Sequence, residues 1–258
     1  MSNSSGRKWI WLRGLIRWKI HWGEFYEQFH QRYPDDEIQM IDFPGFGDFH
    51  NKVSPWDISG LLDHVDQQVQ GQGPFHILGF SLGAMVATYW SHRHPEQVKM
   101  QFLINTSDNR SPFYKRMQPA LWPMIASRLV YPNARRVEWG VLKVVSNDSK
   151  VRGKWGSVFE KSYEKTPISR YNFLAQIRCA THARFPNNAP VPSVILCSKG
   201  DRLAHYSCSE KISKLWGCPL EIHPFAGHDL TLDNGPWVLD QMHKYLDKSS
   251  EKNTHFSM

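Results

Sequence analysis

No apolar run in this chain approaches the roughly 20 residues needed to cross a bilayer, which excludes a helical membrane span. Cysteine is scarce. The four present, Cys179, Cys197, Cys208 and Cys218, all lie in the last third and show no C-x-x-C spacing. That excludes a disulfide scaffold and a thiolate metal site, and a reduced, cytoplasmic protein is expected. Metal-ligand clusters are missing too. His92 and His94 are two apart on an expected helix and point to different faces, so neither metal nor cofactor is expected. Residues 1–8 are polar, and the apolar stretch 9–12 is followed at once by Arg13 and Arg17, so no secretory signal is expected. Internal repeats are absent. What remains is 258 residues, 41% hydrophobic and 21% charged, enough for one globular domain with a full core.

Charge is unevenly spread. Residues 109–188 hold 15 Lys/Arg against 4 Asp/Glu, a net of +11, while the rest holds 16 against 20, a net of −4. Solvated helix faces rich in Arg and Lys account for such a segment, and so does a field that attracts an anionic substrate or an acidic partner. No recognised nucleic-acid-binding motif accompanies the basic residues, and no nucleic-acid partner is expected.

Short apolar runs alternate with longer amphipathic ones. Strands are expected at 8–13, 37–42, 75–80, 98–105, 191–197 and 220–225. Helices are expected at 22–33, 56–69, after Ser81, around 209–216 and at 236–246. This alternation implies βαβ units and a parallel sheet covered on both faces. The segment 108–188 interrupts the rhythm. Its apolar residues recur at helical spacing, with helices expected at 121–130, 137–145 and 170–183, so it is a helical insertion. The core is then 1–107 with 189–248, and the polar stretch 249–258 is expected to be disordered.

Between the strand 75–80 and the next helix stands Gly79-Phe80-Ser81-Leu82-Gly83, a G-x-S-x-G motif in a strand–turn–helix setting. A serine on so tight a turn needs neighbours without side chains, where strand and helix approach. The Leu82 N–H, at the start of the helix, would face a developing oxyanion. An ordinary Gly/Ser loop is the plainer alternative. A serine nucleophile also needs a base, and the base needs an acid to orient it. Thirteen histidines are present, and His228, in Phe225-Ala226-Gly227-His228-Asp229, stands out because it follows a strand directly. Asp201, in Ser198-Lys199-Gly200-Asp201-Arg202, follows the preceding strand. Both therefore share with Ser81 the carboxyl edge of the sheet, where open α/β sheets place their ligands. A helix N-cap is the structural alternative for Asp201, and a loop histidine for His228. Asp108 is a rival acid, following the strand after the Ser81 helix. Asp229, next to His228, should point elsewhere.

These motifs resemble those of the α/β-hydrolase superfamily over nearly the whole chain. Beside the elbow stand Leu12-Arg13-Gly14-Leu15, where that family usually has His-Gly-x, and Asp42-Phe43-Pro44-Gly45-Phe46-Gly47, close to its D-x-P-G-x-G loop. Gly200-Asp201-Arg202-Leu203 and Gly227-His228 match the acid and base signatures. The chain departs from the pattern at Arg13 and at Asp48-Phe49, which replaces a serine. The resemblance implies an α/β-hydrolase fold with a mostly parallel sheet of about six strands, and a lid at 108–188. It implies a catalytic set of Ser81, Asp201 and His228, with the backbone N–H groups of Leu15 and Leu82 as oxyanion donors. The activity implied is hydrolysis of a carboxylic ester, with thioesterase or acyltransferase chemistry, or a non-catalytic binding role, as alternatives. Among such hydrolases are esterases that act on acyl chains borne by acyl carrier protein, an acidic partner suited to a basic lid. Arg116, Arg135, Arg136 and Arg152 are candidate contacts for it. Trp22, Phe113, Trp122, Arg116, Arg135 and Arg136 are candidates for substrate binding.

Overall fold

The computed structural model describes residues 6–119, 122–123, 125–126 and 133–254, with side chains described through 247. The expected helix at 121–130 falls mostly outside the described residues. Six strands, β1 (Lys8–Leu12), β2 (Glu37–Ile41), β3 (Phe75–Phe80), β4 (Val98–Ile104), β5 (Ser193–Ser198) and β6 (Leu220–His223), form one sheet in the order β2-β1-β3-β4-β5-β6. Every pairing is parallel. Successive strand side chains point to opposite faces, and the burial pattern follows that period. Ile10, Leu12, Phe75, Ile77, Leu103 and Ile195 enter the core on one face. Trp9, Trp11, Leu78, Phe80, Phe102 and Leu196 enter the core on the other.

Helices cover both faces. The first face is packed by α2 (Ile58–Gln68), through Leu61, Leu62 and Val65, and by α3 (Leu82–Arg93). The opposite face is packed by α1 (Phe25–Arg32) and by α9 (Leu230–Thr254), while α8 (Ser207–Trp216) links β5 to β6. The last helix starts earlier and ends later than the expected 236–246. It breaks at Asn234 (φ −154°), whose Oδ1 accepts the Trp237 N–H at 3.2 Å and caps the second piece, with Pro236 in its first turn. It continues to Thr254.

Between β4 and β5 lie α4 (Phe113–Arg116), α5 (Ala134–Val145), α6 (Ser149–Lys165) and α7 (Arg170–His182). Helix α6 is not among the elements expected from the sequence. Its Gly153 and Gly156 lower helix propensity, and only three of its residues, Gly156, Phe159 and Tyr163, are buried. Gly156 is required by packing: a methyl there would come within 2.5 Å of the Trp139 ring on α5.

Candidate active site

Ser81 stands between β3 and α3 with φ 53° and ψ −114°, a region that L residues seldom occupy. Such strain costs on the order of 1–3 kcal/mol and persists only where the surroundings enforce it. Here they do. The Ser81 N–H donates to the Ile104 carbonyl at 2.8 Å, and its carbonyl accepts the Ala84 N–H at 3.0 Å. A side chain at Gly83 would meet the Leu12 carbonyl at 2.1 Å, so the helix can approach β1 only because that position is glycine. A methyl placed on Gly14 would lie 3.1 Å from the Ser81 Cβ, which puts the loop after β1 directly beside the serine.

His228 and Asp201 are 3% and 6% exposed, and His228 Nδ1 lies 2.6 Å from Asp201 Oδ2. A carboxylate only accepts, so Nδ1 carries the proton in this contact. The other carboxylate oxygen of Asp201 accepts the N–H groups of Leu203 at 2.7 Å and Ala204 at 2.9 Å, which fixes the carboxyl plane. The imidazole packs edge-on against Phe80, with ring centres 5.1 Å apart. Asp108 is engaged elsewhere: its carboxylate pairs with Arg110 and accepts the Phe185 N–H at 3.3 Å. Asp229 also turns away, to a buried ion pair with Arg13 at 2.5 Å. The Arg13 guanidinium stands 4.4 Å from the Phe80 ring centre and 4.7 Å from that of Trp22, so the residue in the usual histidine position braces the floor of the site.

Ser81 and His228 open on one cavity, also lined by Leu15, Leu82, Met85, Val141 and Phe173. Its lining is mainly apolar, which suits an acyl chain. Ser81 Oγ and His228 make no direct hydrogen bond among the described residues. In unliganded enzymes that bond is often long and tightens when substrate binds. The Leu15 and Leu82 N–H groups have no protein acceptor among the described residues, and both residues face the cavity.

The expected binding residues separate. Phe113, Arg116 and Arg136 line the cavity. Trp22 does not: it is 1% exposed in the core on the far face of the sheet, against Trp11 and Phe25, because its short 3-10 turn directs it there. Trp122 is exposed, with its indole N–H on the Met117 carbonyl at 3.3 Å, and Arg135 is exposed outside the cavity lining. Arg116 donates from both Nη groups to the Thr181 and Ala180 carbonyls, and Arg152 from Nη1 to the Ser146 carbonyl. Several site residues carried no motif. Asn105, with φ 47°, donates from Nδ2 to the His228 carbonyl at 2.5 Å and accepts the Ser198 N–H at 3.0 Å, tying three strand ends together. Its only sequence signal was an asparagine at a strand end, a residue that tolerates the left-handed region.

A model of the alpha/beta hydrolase family matches residues 9–241. The chain belongs to this family. Among curated relatives, a pimeloyl-[acyl-carrier protein] methyl ester esterase of Neisseria meningitidis is 40% identical over 62 residues, 24% of this chain and 23% of that one. The counterpart from Shewanella woodyi is 24% identical over 144 residues, 56% of this chain and 52% of that one. The matched segment thus spans under a quarter of the first relative's length and about half of the second's. Among solved structures, an esterase from Rhodococcus superposes with a TM-score of 0.74 at 15% identity, covering 95% of this chain and 92% of that one. A meta-cleavage product hydrolase from Pseudomonas fluorescens gives 0.74 at 14% identity, covering 96% and 92%. At such identity these structures share the fold. The named relatives are esterases and hydrolases of the family.

Proposed function

We propose that this chain hydrolyses a carboxylic ester through an acyl-enzyme on Ser81. The observation that carries the reading is the buried Asp201–His228 pair opening on the same apolar cavity as a serine held at a strained strand–helix elbow. In this mechanism His228 Nε2 takes the Ser81 proton as Oγ attacks the ester carbonyl carbon. The Leu15 and Leu82 N–H groups receive the oxyanion. His228 then returns the proton to the leaving alcohol, and water repeats the cycle on the acyl-enzyme. Asp201 stabilises the imidazolium that forms in each half-reaction. The helices between β4 and β5 serve as the lid, since Val137, Val141 and Phe173 wall the cavity.

Ser81→Ala should lose ester turnover, and a fluorophosphonate probe should label the wild-type chain at Ser81 alone. Turnover that survives the substitution would refute the assignment. A wild-type chain inert to both ester and probe would favour a non-catalytic binding role.

The basic excess of 108–188 and the names of the curated relatives favour an acyl chain borne on an acidic carrier protein, as a methyl ester or a thioester. With Arg116 and Arg152 turned to backbone carbonyls, the exposed pair Arg135 and Arg136 is the docking candidate. All four cysteines are unpaired, which suits the cytoplasm such a carrier would occupy.

A further inference from the structure

The loop after β1 is gripped by the helices that follow β4. Ile16 has φ 54°, an outlier for a β-branched residue, which no glycine freedom explains. Its N–H donates to Gln176 Oε1 on α7 at 2.7 Å. Gln176 is fully buried, and its Nε2 finds no protein partner among the described residues, so the amide is oriented by the bond its oxygen accepts. One residue further, Arg17 Nη1 donates to both carboxylate oxygens of Glu138 on α5, at 3.0 and 2.9 Å. Glu138 is also fully buried. Two consecutive residues directly after Leu15 are therefore held by side chains from two different helices of the segment 108–188.

We propose that Gln176 is a positioning residue for the oxyanion hole, holding Ile16 in the left-handed region so that the preceding Leu15 N–H faces the reacting carbonyl oxygen. The inference rests on the hydrolase reading above. Its physical content is that the Ile16 N–H and the Leu15 carbonyl share one peptide plane, which adjoins the plane carrying the Leu15 N–H. Fixing the first restrains the second. The Arg17 N–H donates to the Gly14 carbonyl at 3.2 Å and closes a turn over Leu15 and Ile16. Without the Gln176 acceptor the Leu15–Ile16 peptide is free to flip, Ile16 turns toward negative φ, and the turn no longer holds the Leu15 N–H in register with the site. The helical segment then completes the catalytic constellation as well as covering it, and Glu138 supports the same loop through Arg17.

The test is a double-mutant cycle. Gln176→Met keeps the length of the side chain and removes the acceptor. It should lower kcat for a small neutral ester by roughly 10- to 100-fold, with KM within about threefold, because an oxyanion donor acts in the transition state. Glycine occupies positive φ freely. In an Ile16→Gly background the same substitution should therefore cost less than about threefold, a difference that simple loss of packing would not produce. An equal loss in both backgrounds, or a kcat for Gln176→Met within about threefold of wild type, would overturn the proposal. Amide hydrogen exchange at Ile16 tests the clamp without turnover. Faster exchange in Gln176→Met supports it, and unchanged exchange overturns it. A wild-type chain that turns over no ester and takes no fluorophosphonate would instead refute the hydrolase reading, and the exchange result would still decide the clamp.

Discussion

Asp201→Asn isolates the orientation of the base from the shape of the site. The two side chains are nearly isosteric, but the amide has one oxygen where the carboxylate has two. In the native site Oδ1 accepts two backbone N–H groups, from Leu203 and Ala204, while Oδ2 faces His228 Nδ1 at 2.6 Å. In the variant, the single amide oxygen satisfies the larger number of donors by staying on the loop. The amide NH2 group then faces Nδ1, which must become an acceptor, and the imidazole proton moves to Nε2. In that tautomer His228 cannot take a proton from Ser81. Loss of the carboxylate also removes the charge that stabilises the imidazolium. The expected fall in kcat is roughly 10⁴-fold, about 5.5 kcal/mol of barrier at about 1.4 kcal/mol per factor of ten. KM should stay within about threefold, because Asp201 does not line the cavity. Steady-state kinetics on a chromogenic ester measures both, with thermal unfolding as the control for folding. A kcat reduced by less than about tenfold in a folded protein would refute Asp201 as the orienting acid. Asp108→Asn is the companion variant, expected to leave kcat within about threefold because that carboxylate pairs with Arg110.

Two further predictions concern charge. Burial pulls the His76 imidazole down to about 4, so the folded chain refuses a proton that the unfolded chain accepts below about pH 6.5. The stability it contributes is present above about pH 6.5 and is lost as the pH falls toward 4. His76→Phe, which preserves the ring packed 5.0 Å from Trp9, should reduce the loss between about pH 7 and pH 4.5 by about 2 kcal/mol. Urea unfolding at the two pH values checks it, and an unchanged difference would count against the burial argument. His21, lowered to about 4 by burial and by Arg17, leaves a second contribution of the same sign in place. For the carrier reading, hydrolysis of an ester borne on an acidic carrier protein should fall steeply between about 50 and about 300 mM salt, while a small neutral ester should not respond. Arg135→Glu with Arg136→Glu should abolish the difference, and equal salt response for both substrates would refute docking on this segment.

The order of elements was legible from the chain itself, because strands and helices bury their faces with different periods. The alternation of Trp9, Ile10, Trp11 and Leu12 already implied a strand covered on both sides, and the two cores receive those residues in turn. A parallel sheet also brings all its carboxyl ends to one edge. Ser81, Asp201 and His228 could therefore be grouped from strand positions alone. The helix α6 was not legible, since glycine lowers helix propensity and the need for Gly156 lies in a ring on another helix.

Local residue types and spacings were enough to place the strand–helix turn at Ser81, the loops that carry Asp201 and His228, and the basic segment. Which carboxylate meets His228 was decided only in three dimensions, by Arg110 drawing off Asp108 and by the loop donors that hold Asp201. The same holds for Trp22, which belongs to the core, and for the grip of Gln176 and Glu138 on residues 160 and 121 positions away in the chain. Hydrophobic periodicity and turn chemistry act between near neighbours, so a sequence displays them openly. A hydrogen bond across such a separation depends on how whole elements pack, and no local pattern records it.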